Sequence, residues 1–456
     1  HGETFNEGPR QAAVLMPGTG SIHFPLEHDN PNVQKFVEQG IGQLHGFWYF
    51  EAERSFRQAA MLDPECAIAY WGMAKANMGN EKRAKGFLAE AVARKEQANA
   101  RDRILIEAAD DYLNSSDKKP QKVKRYVAAM EKLVAEHPDD VEAKAQLGYA
   151  LYKYRGHLKM SHEDVDARLK EVLQLEPLHP VHHYRIHLWD AKDPKRALDS
   201  AALCGSAAPG IAHMWHMPGH IYSRLKRYEE AAWQQEASAR VDHAQMIQYQ
   251  VMPDQIHNFA HNNEWLIRNL IHLGQVQDAI DLAKNMTELP QHPKYNTIRR
   301  RGSAYYGRTR LFDVLTTFEL WEELVSLSAT PYLEPTDNEQ EQLKRLRWLG
   351  VAHANLGQTA AAQEQIDELQ RRLVPVREKM AADKEKQKAE KEKNPKAKQK
   401  KLPNLADPFE KAIAAIEGHL AFHSGNVKDA LPKLRQARED ALLIAKAQCL
   451  AGDKEA

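Results

Sequence analysis

The sequence predicts an all-α fold in which antiparallel helix pairs stack into a helical solenoid. Apolar residues recur at intervals of three and four, as on the buried face of a helix, and strand-like alternation is confined to short ambiguous runs. One connecting turn also recurs five times, in the related segments KDPKRA, LKRYEEA, LGQVQDA, LGQTAAA and SGNVKDA. Repetition of a turn indicates an array of similar helix pairs.

The composition argues against several classes of protein. The 456-residue chain has 63 Lys and Arg against 63 Asp and Glu, so no net charge favours nucleic acid or an anionic membrane. No apolar run approaches the roughly 18 residues of a transmembrane helix. The three cysteines are far apart, which argues against a disulfide framework or a cysteine-rich zinc site. Because the chain begins at His1 rather than Met, we expect an exported, periplasmic protein.

Composition also divides the chain into four segments. Residues 1–30 are rich in Gly and Pro and lack periodicity, which predicts an extended N-terminal arm. Residues 31–377 carry the helical array. Residues 378–404 form a charged low-complexity run that predicts a linker, although its start could extend the preceding helix up to Asn394. Residues 405–456 supply a last helical pair.

The first repeat unit starts at Val33. In it Ala52, Phe56, Ala59 and Pro64 fall where small and aromatic residues pack a second helix and where a proline stops it. This pattern resembles the tetratricopeptide repeat, a 34-residue pair of antiparallel helices. The resemblance implies a tetratricopeptide-repeat solenoid whose concave groove can hold a peptide or a partner protein.

Three consecutive predicted helices carry histidines at helical spacing. His183 and His187 are four residues apart, as are His216 and His220, and the second pair follows the first by 33 residues. Residues three or four apart share one face of a helix, so each pair forms a stripe. The matching spacing predicts that the stripes lie side by side.

The repeat register places these histidines in the groove. In tetratricopeptide arrays, positions 2, 5 and 9 of the first helix line the concave surface, as the resemblance implies. The register puts His213, His216 and His220 at these positions in one unit, and His261 and Glu264 at the first two positions of the next.

Imidazoles from neighbouring helices suit a transition metal such as copper, zinc or iron. We therefore predict a metal site formed by His183, His187, His216, His220 and His261, with His213 and Glu264 as outer candidates. Glu264 is also the candidate general base if the protein is a metalloenzyme. His1, His45 and His257 are weaker candidates. The alternative is an adaptor that binds a peptide or protein in the groove without metal.

A second resemblance is narrower. The segments DPECAIAYWG, HYRIH and HMPGHIYSRLKRYEEA, together with an HN dipeptide at His261, resemble one group of bacterial tetratricopeptide-repeat proteins. The likeness covers roughly residues 33–350 and implies the fold rather than an activity. The sequence HNNEW departs from the group pattern, which has an aromatic residue and a second histidine near Asn263 and Glu264.

Overall fold

The structure is a computed structural model that describes residues 12–26, 28–256, 258–290, 292, 294, 296–393 and 402–452. Within these residues the regular secondary structure is helical, and no β-strand occurs. The chain divides into two compact units, the first running to Gly274 and including residues 290–295, and the second containing the remainder.

The first unit consists of consecutive helix pairs. Within the described residues its helices are α1 (Pro31–His45), α2 (Tyr49–Leu62), α3 (Ala67–Ala76), α4 (Glu81–Ala93), α5 (Ala100–Asn114), α6 (Lys119–Glu136), α7 (Val141–Leu158), α8 (His162–Leu175), α9 (His182–Trp189), α10 (Leu198–Ala207), α11 (Ala212–Arg224), α12 (Tyr228–Tyr249) and α13 (Phe259–Leu273). From α1 to α12, each odd-numbered helix packs against the next helix in the chain. Because short connections join the paired helices, the two helices of each pair are antiparallel.

The second unit has the same construction. Its described helices are α14 (Val276–Glu288), α15 (Ser303–Thr317), α16 (Trp321–Leu327), α17 (Glu339–Asn355), α18 (Thr359–Lys393), α19 (Asp407–His423), α20 (Val427–Ala437) and α21 (Ala441–Leu450). Where the sequence predicts one C-terminal pair, α19 and α20 form that pair, and the short helix α21 packs against α20.

Small residues set the close packing of the first helices. A Cβ atom added at Gly40 in α1 or at Gly72 in α3 would lie 2.7 or 2.4 Å from the ring of Phe56 in α2. Ala52 and Ala59, on the same helix as Phe56, are fully buried. Ala52, Phe56 and Ala59 are positions from which the sequence predicts a tetratricopeptide-like unit. Their packing explains why alanine stands at two of them and why glycine faces Phe56.

The segment before α1 has no regular secondary structure over residues 12–26 and 28–30. It packs against the first unit: the Gly210 backbone N–H donates to the Gly18 carbonyl at 2.8 Å, and Phe24 is fully buried beneath the guanidinium of Arg101. The N-terminal arm therefore contributes to the core that supports α9 and α11.

The start of the charged run extends the preceding helix, as the sequence allows. Helix α18 continues through it to Lys393, and residues 394–401 lie outside the described residues. The run is built from Glu, Lys, Ala and Gln, which have high helix propensity, and the next helix-breaking residue is Pro395. Residues 378–393 therefore belong to a helix rather than to a linker.

The predicted fold class is confirmed: the protein is an all-α helical repeat built from antiparallel helix pairs. Within the part of the chain that the structure describes, no helix is both long enough and apolar enough to cross a membrane.

Candidate metal centre

Helix α9 is anchored on the face opposite its histidines. The guanidinium of Arg185 is buried and donates to Asp166 in α8 at 2.7 Å and to Asp199 in α10 at 2.9 Å. The indole N–H of Trp189 donates to the same Asp166 oxygen at 2.9 Å. These contacts fix the rotation of this short helix about its axis and direct its other face, with the two predicted histidines, towards α11.

The structure sorts the predicted ligands into two groups of three histidines. Triad A consists of His183 and His187 from α9 with His213 from α11, and triad B consists of His216 and His220 from α11 with His261 from α13. Within each triad, one ring nitrogen of every member lies within 4.8 Å of one nitrogen of the other two. The sequence predicts one site with His213 as an outer candidate, whereas the structure makes His213 a full member of triad A.

The two triads follow one rule. Each triad takes two histidines, four residues apart, from one helix. The third histidine comes from the first turn of the helix that begins the next pair. The two pairs are 33 residues apart, but the third members, His213 and His261, are 48 residues apart, because the 22-residue helix α12 and the turn after it lengthen that unit. The triads are neighbours: the rings of His213 and His216 stack with their centroids 5.6 Å apart.

Hydrogen bonds fix the tautomer of one histidine in each triad. In triad A the His183 Nδ1 donates to the backbone carbonyl of His45 at 2.7 Å, since a carbonyl can only accept. In triad B the Gln235 amide donates to the His216 carbonyl at 3.1 Å, so its oxygen accepts from His216 Nδ1 at 2.7 Å. Each Nε2 therefore presents a lone pair to its triad, the arrangement that orients metal-bound histidines in proteins.

The second histidine of each pair faces that lone pair. The His187 Nε2 lies 3.0 Å from His183 Nε2, and the His220 Nε2 lies 2.9 Å from His216 Nε2. Two nitrogens on one ion at 2.0–2.1 Å per bond are separated by roughly 2.9–3.3 Å, depending on the bond angle. The pairs are thus spaced as neighbouring ligands of one ion, without a change of backbone.

Burial keeps the imidazoles of His183, His187 and His216 neutral. Desolvation lowers the pKa of His183 and of His216 well below the ordinary histidine value, and the neighbouring imidazoles lower both further. Burial likewise lowers the pKa of His187 to about 4. At neutral pH each of these rings carries only one proton, so a metal ion can bind the other nitrogen without displacing a proton.

A carboxylate that sequence reasoning missed lies behind His220 of triad B. Asp190 Oδ2 lies 3.6 Å from His220 Nδ1, a buried nitrogen that has no hydrogen-bond partner within the described part of the chain. Burial by itself would raise the pKa of Asp190, but His220 and Arg224 lower it to about 2, so the carboxylate is ionised at neutral pH. The signal was available, because Asp190 follows His187 by three residues and caps the C-terminal end of α9.

An aromatic side chain covers each triad. The ring of Phe47, between α1 and α2, lies 4.4 Å from His183 and 5.4 Å from His187, measured between centroids. Trp265 of α13 stacks on His220 at 4.0 Å. These rings restrict the approach of water and hold the imidazoles in place.

His45 supports the site indirectly. Its side chain belongs to a buried cluster in which Glu142 Oε1 lies 2.8 Å from His45 Nε2 and Glu142 Oε2 lies 3.3 Å from His179 Nε2. The Val181 N–H donates to His179 Nδ1, and the Tyr184 hydroxyl lies 2.7 Å from His45 Nδ1. The ring nitrogens are already engaged, so this cluster is a hydrogen-bond network that positions the carbonyl behind His183.

Glu264 lies beside triad B. Glu264 is buried outside both triads, with its Oε1 3.3 Å from His261 Nδ1, so it is placed to orient that histidine. His213 Nδ1 lies 3.0 Å from the Asn258 amide nitrogen. His1 and His257 lie outside the described residues.

Fold and site together define an all-α helical-repeat protein with two adjacent three-histidine clusters. No profile of a known protein family matches the chain, and no curated protein matches its sequence. Among solved structures the chain is similar to the TPR domain of P58(IPK), with 15% identity over 93% of this chain and 99% of that one and a TM-score of 0.26. It is also similar to the APC/C hetero-tetramer Cut9–Hcn1, with 11% identity over 92% and 75% and a TM-score of 0.31. The fold class rests on the helix pairs of this chain.

Proposed function

We propose that this chain is a metal-binding tetratricopeptide-repeat protein of the bacterial group that its motifs resemble, and that triads A and B each bind one transition-metal ion. Three neutral imidazoles per ion suit copper or zinc best, and iron(II) less well without a carboxylate in the set. Three protein ligands leave a further coordination position for water or a substrate. Such an ion can act as a Lewis acid or generate hydroxide.

The buried Nδ1 of His220 carries the proposal. Because the neutral His216 ring carries its proton on Nδ1, its Nε2 can only accept a hydrogen bond. In the absence of metal, the 2.9 Å contact between the two Nε2 atoms therefore requires His220 Nε2 to donate. His220 Nδ1 then faces the ionised Asp190 as a bare lone pair. If an ion takes both Nε2 lone pairs, the His220 proton moves to Nδ1 and points at Asp190. A doubly protonated His220 would satisfy the same contacts without metal, so the metal content must decide.

The experiment is metal analysis by mass spectrometry on untagged protein reconstituted separately with copper, zinc and iron(II). The wild type should bind two equivalents of its preferred ion. His187→Ala should lose one equivalent from triad A, and His220→Ala should lose one from triad B. His272→Ala is the matched control, since His272 lies on α13 but stacks on Tyr228 instead of joining a triad. Absence of metal in the wild type under all three conditions would contradict the proposal.

The second candidate function is an adaptor that holds a peptide or a partner protein on the histidine face. The repeat architecture favours it, because successive first helices present neighbouring side chains along one surface. In that case the imidazoles serve as hydrogen-bonding groups. A peptide that binds the chelator-treated protein, and whose affinity falls in the triad variants, would support the adaptor. Loss of thermal stability on chelation, followed by recovery with metal, would support the metalloprotein.

A further inference from the structure

A second feature of the first unit lies away from the two triads. A cavity of about 800 Å³ opens among helices α1 to α7 and α9. Its volume falls in the range of small-molecule sites in proteins. None of the six triad histidines lines the cavity. Its wall nearest to triad A is Tyr184, whose ring centroid lies 6.0 Å from that of His183 and 5.7 Å from that of Phe47.

Tyrosine rings form much of the cavity wall. Tyr112, Tyr126 and Tyr154 come from three different helices and pack with centroids 5.5 to 6.2 Å apart. Tyr49 and Tyr149 also line the cavity. Walls of this kind offer flat apolar faces with polar hydroxyls at the ring ends, which suits a planar aromatic guest.

The ammonium of Lys75 stands at this wall. It donates to the Tyr126 hydroxyl at 2.9 Å and lies 5.3 to 5.7 Å from the ring centroids of Trp71, Tyr126 and Tyr149. Within the described residues, no carboxylate oxygen lies within 4 Å of this ammonium. Cation–π contacts and a hydroxyl hold the charge without neutralising it.

The other charged residues of the cavity add to the positive field. Three further lysines line it, Lys119, Lys122 and Lys153. Its two acidic residues are paired elsewhere, since Glu81 bonds Lys85 at 2.7 Å and Asp117 bonds Arg125 at 2.6 Å. The cavity therefore favours an anion, and its walls favour an aromatic ring.

We propose that this cavity binds a small aromatic carboxylate, with the carboxylate on the Lys75 ammonium and the ring against the tyrosine faces. A charge-assisted hydrogen bond supplies the anchor, and stacking supplies the selectivity for an aromatic body. The site is separate from the metal centre, so binding is expected to be the same with and without metal.

The test is isothermal titration calorimetry with 2-naphthoate, its neutral analogue 2-naphthamide, and inorganic phosphate. We expect one equivalent of naphthoate to bind at least tenfold more tightly than naphthamide, and phosphate to give no measurable heat. Lys75→Met should weaken naphthoate at least tenfold and leave naphthamide unchanged. Lys132→Met is the matched control, because that exposed lysine lies on α6 outside the cavity wall and pairs with Glu136.

Three results would overturn the proposal: no naphthoate binding at millimolar concentration, equal affinities for naphthoate and naphthamide, or unchanged naphthoate affinity in Lys75→Met. The second comparison needs only the wild type, so the test survives a variant that fails to fold. Repeating the titration on chelated protein separates this proposal from the metal centre. Loss of naphthoate binding after chelation would place the ligand on the metal and also contradict the cavity assignment.

Discussion

Replacing Gln235 by leucine tests how triad B is built. Gln235 is fully buried in α12 and makes two hydrogen bonds to His216, one accepted from the ring Nδ1 and one donated to the backbone carbonyl. Gly219 leaves the space for this amide, since a Cβ there would lie 2.2 Å from Gln235 Nε2. Leucine keeps most of the volume but removes both bonds.

The size of the expected effect follows from the two hydrogen bonds that His216 would lose. The His216 Nδ1–H would be buried without an acceptor, which costs about 1–3 kcal/mol of folding free energy. The ring would also lose the contact that fixes its tautomer, and loss of such a contact lowers metal affinity by roughly 10–100-fold. Triad A has its own carbonyl partner and should keep wild-type affinity.

The assay is a competitive titration against a chromophoric chelator, which resolves two binding steps in the wild type. Gln235→Leu should weaken one step and leave the other unchanged. Gln234→Leu is the matched control, because Gln234 is the adjacent buried residue of the same helix and no hydrogen bond joins it to His216. Wild-type affinity for both ions in Gln235→Leu would refute the role assigned to the amide.

Three other substitutions give separate predictions. Asp190→Asn should lower the metal affinity of triad B by roughly tenfold in the same chelator titration, because the neutral amide no longer favours a proton on His220 Nδ1. Glu142→Gln should destabilise the protein by about 3 kcal/mol at neutral pH in denaturant unfolding. The pKa of Glu142 lies below its ordinary value of 4.5 despite burial, owing to His45 and His179, so its stabilising effect is present above about pH 4.5 and is lost as the pH falls. Asp242→Asn should raise the melting temperature at pH 7 but not at pH 3. Burial raises the pKa of Asp242, and the one hydrogen bond from Asn262 offsets only part of this effect. Ionisation of Asp242 therefore lowers the stability of the fold as the pH rises. An equal effect at both pH values would show that Asp242 does not titrate in this way.

The sequence determined much of the fold and part of the site. Apolar periodicity and the recurrent turn identify the helix pairs, because the face that a residue occupies on a helix depends only on its position along the chain. For the same reason the pairs His183–His187 and His216–His220 could be assigned to single stripes from spacing alone. The charged run at 378–393 was harder, since a solvated helix and a linker share the same composition.

Only the tertiary structure decided how the stripes combine. The third member of each triad comes from a neighbouring helix, and its position depends on helix packing and on the length of α12. The His45 carbonyl that fixes His183 lies 138 residues earlier in the chain, and no local pattern marks it. The cavity around Lys75 likewise joins side chains from eight helices. Local periodicity specifies the direction of a side chain from its helix, whereas distances between helices arise from the packing of all of them together.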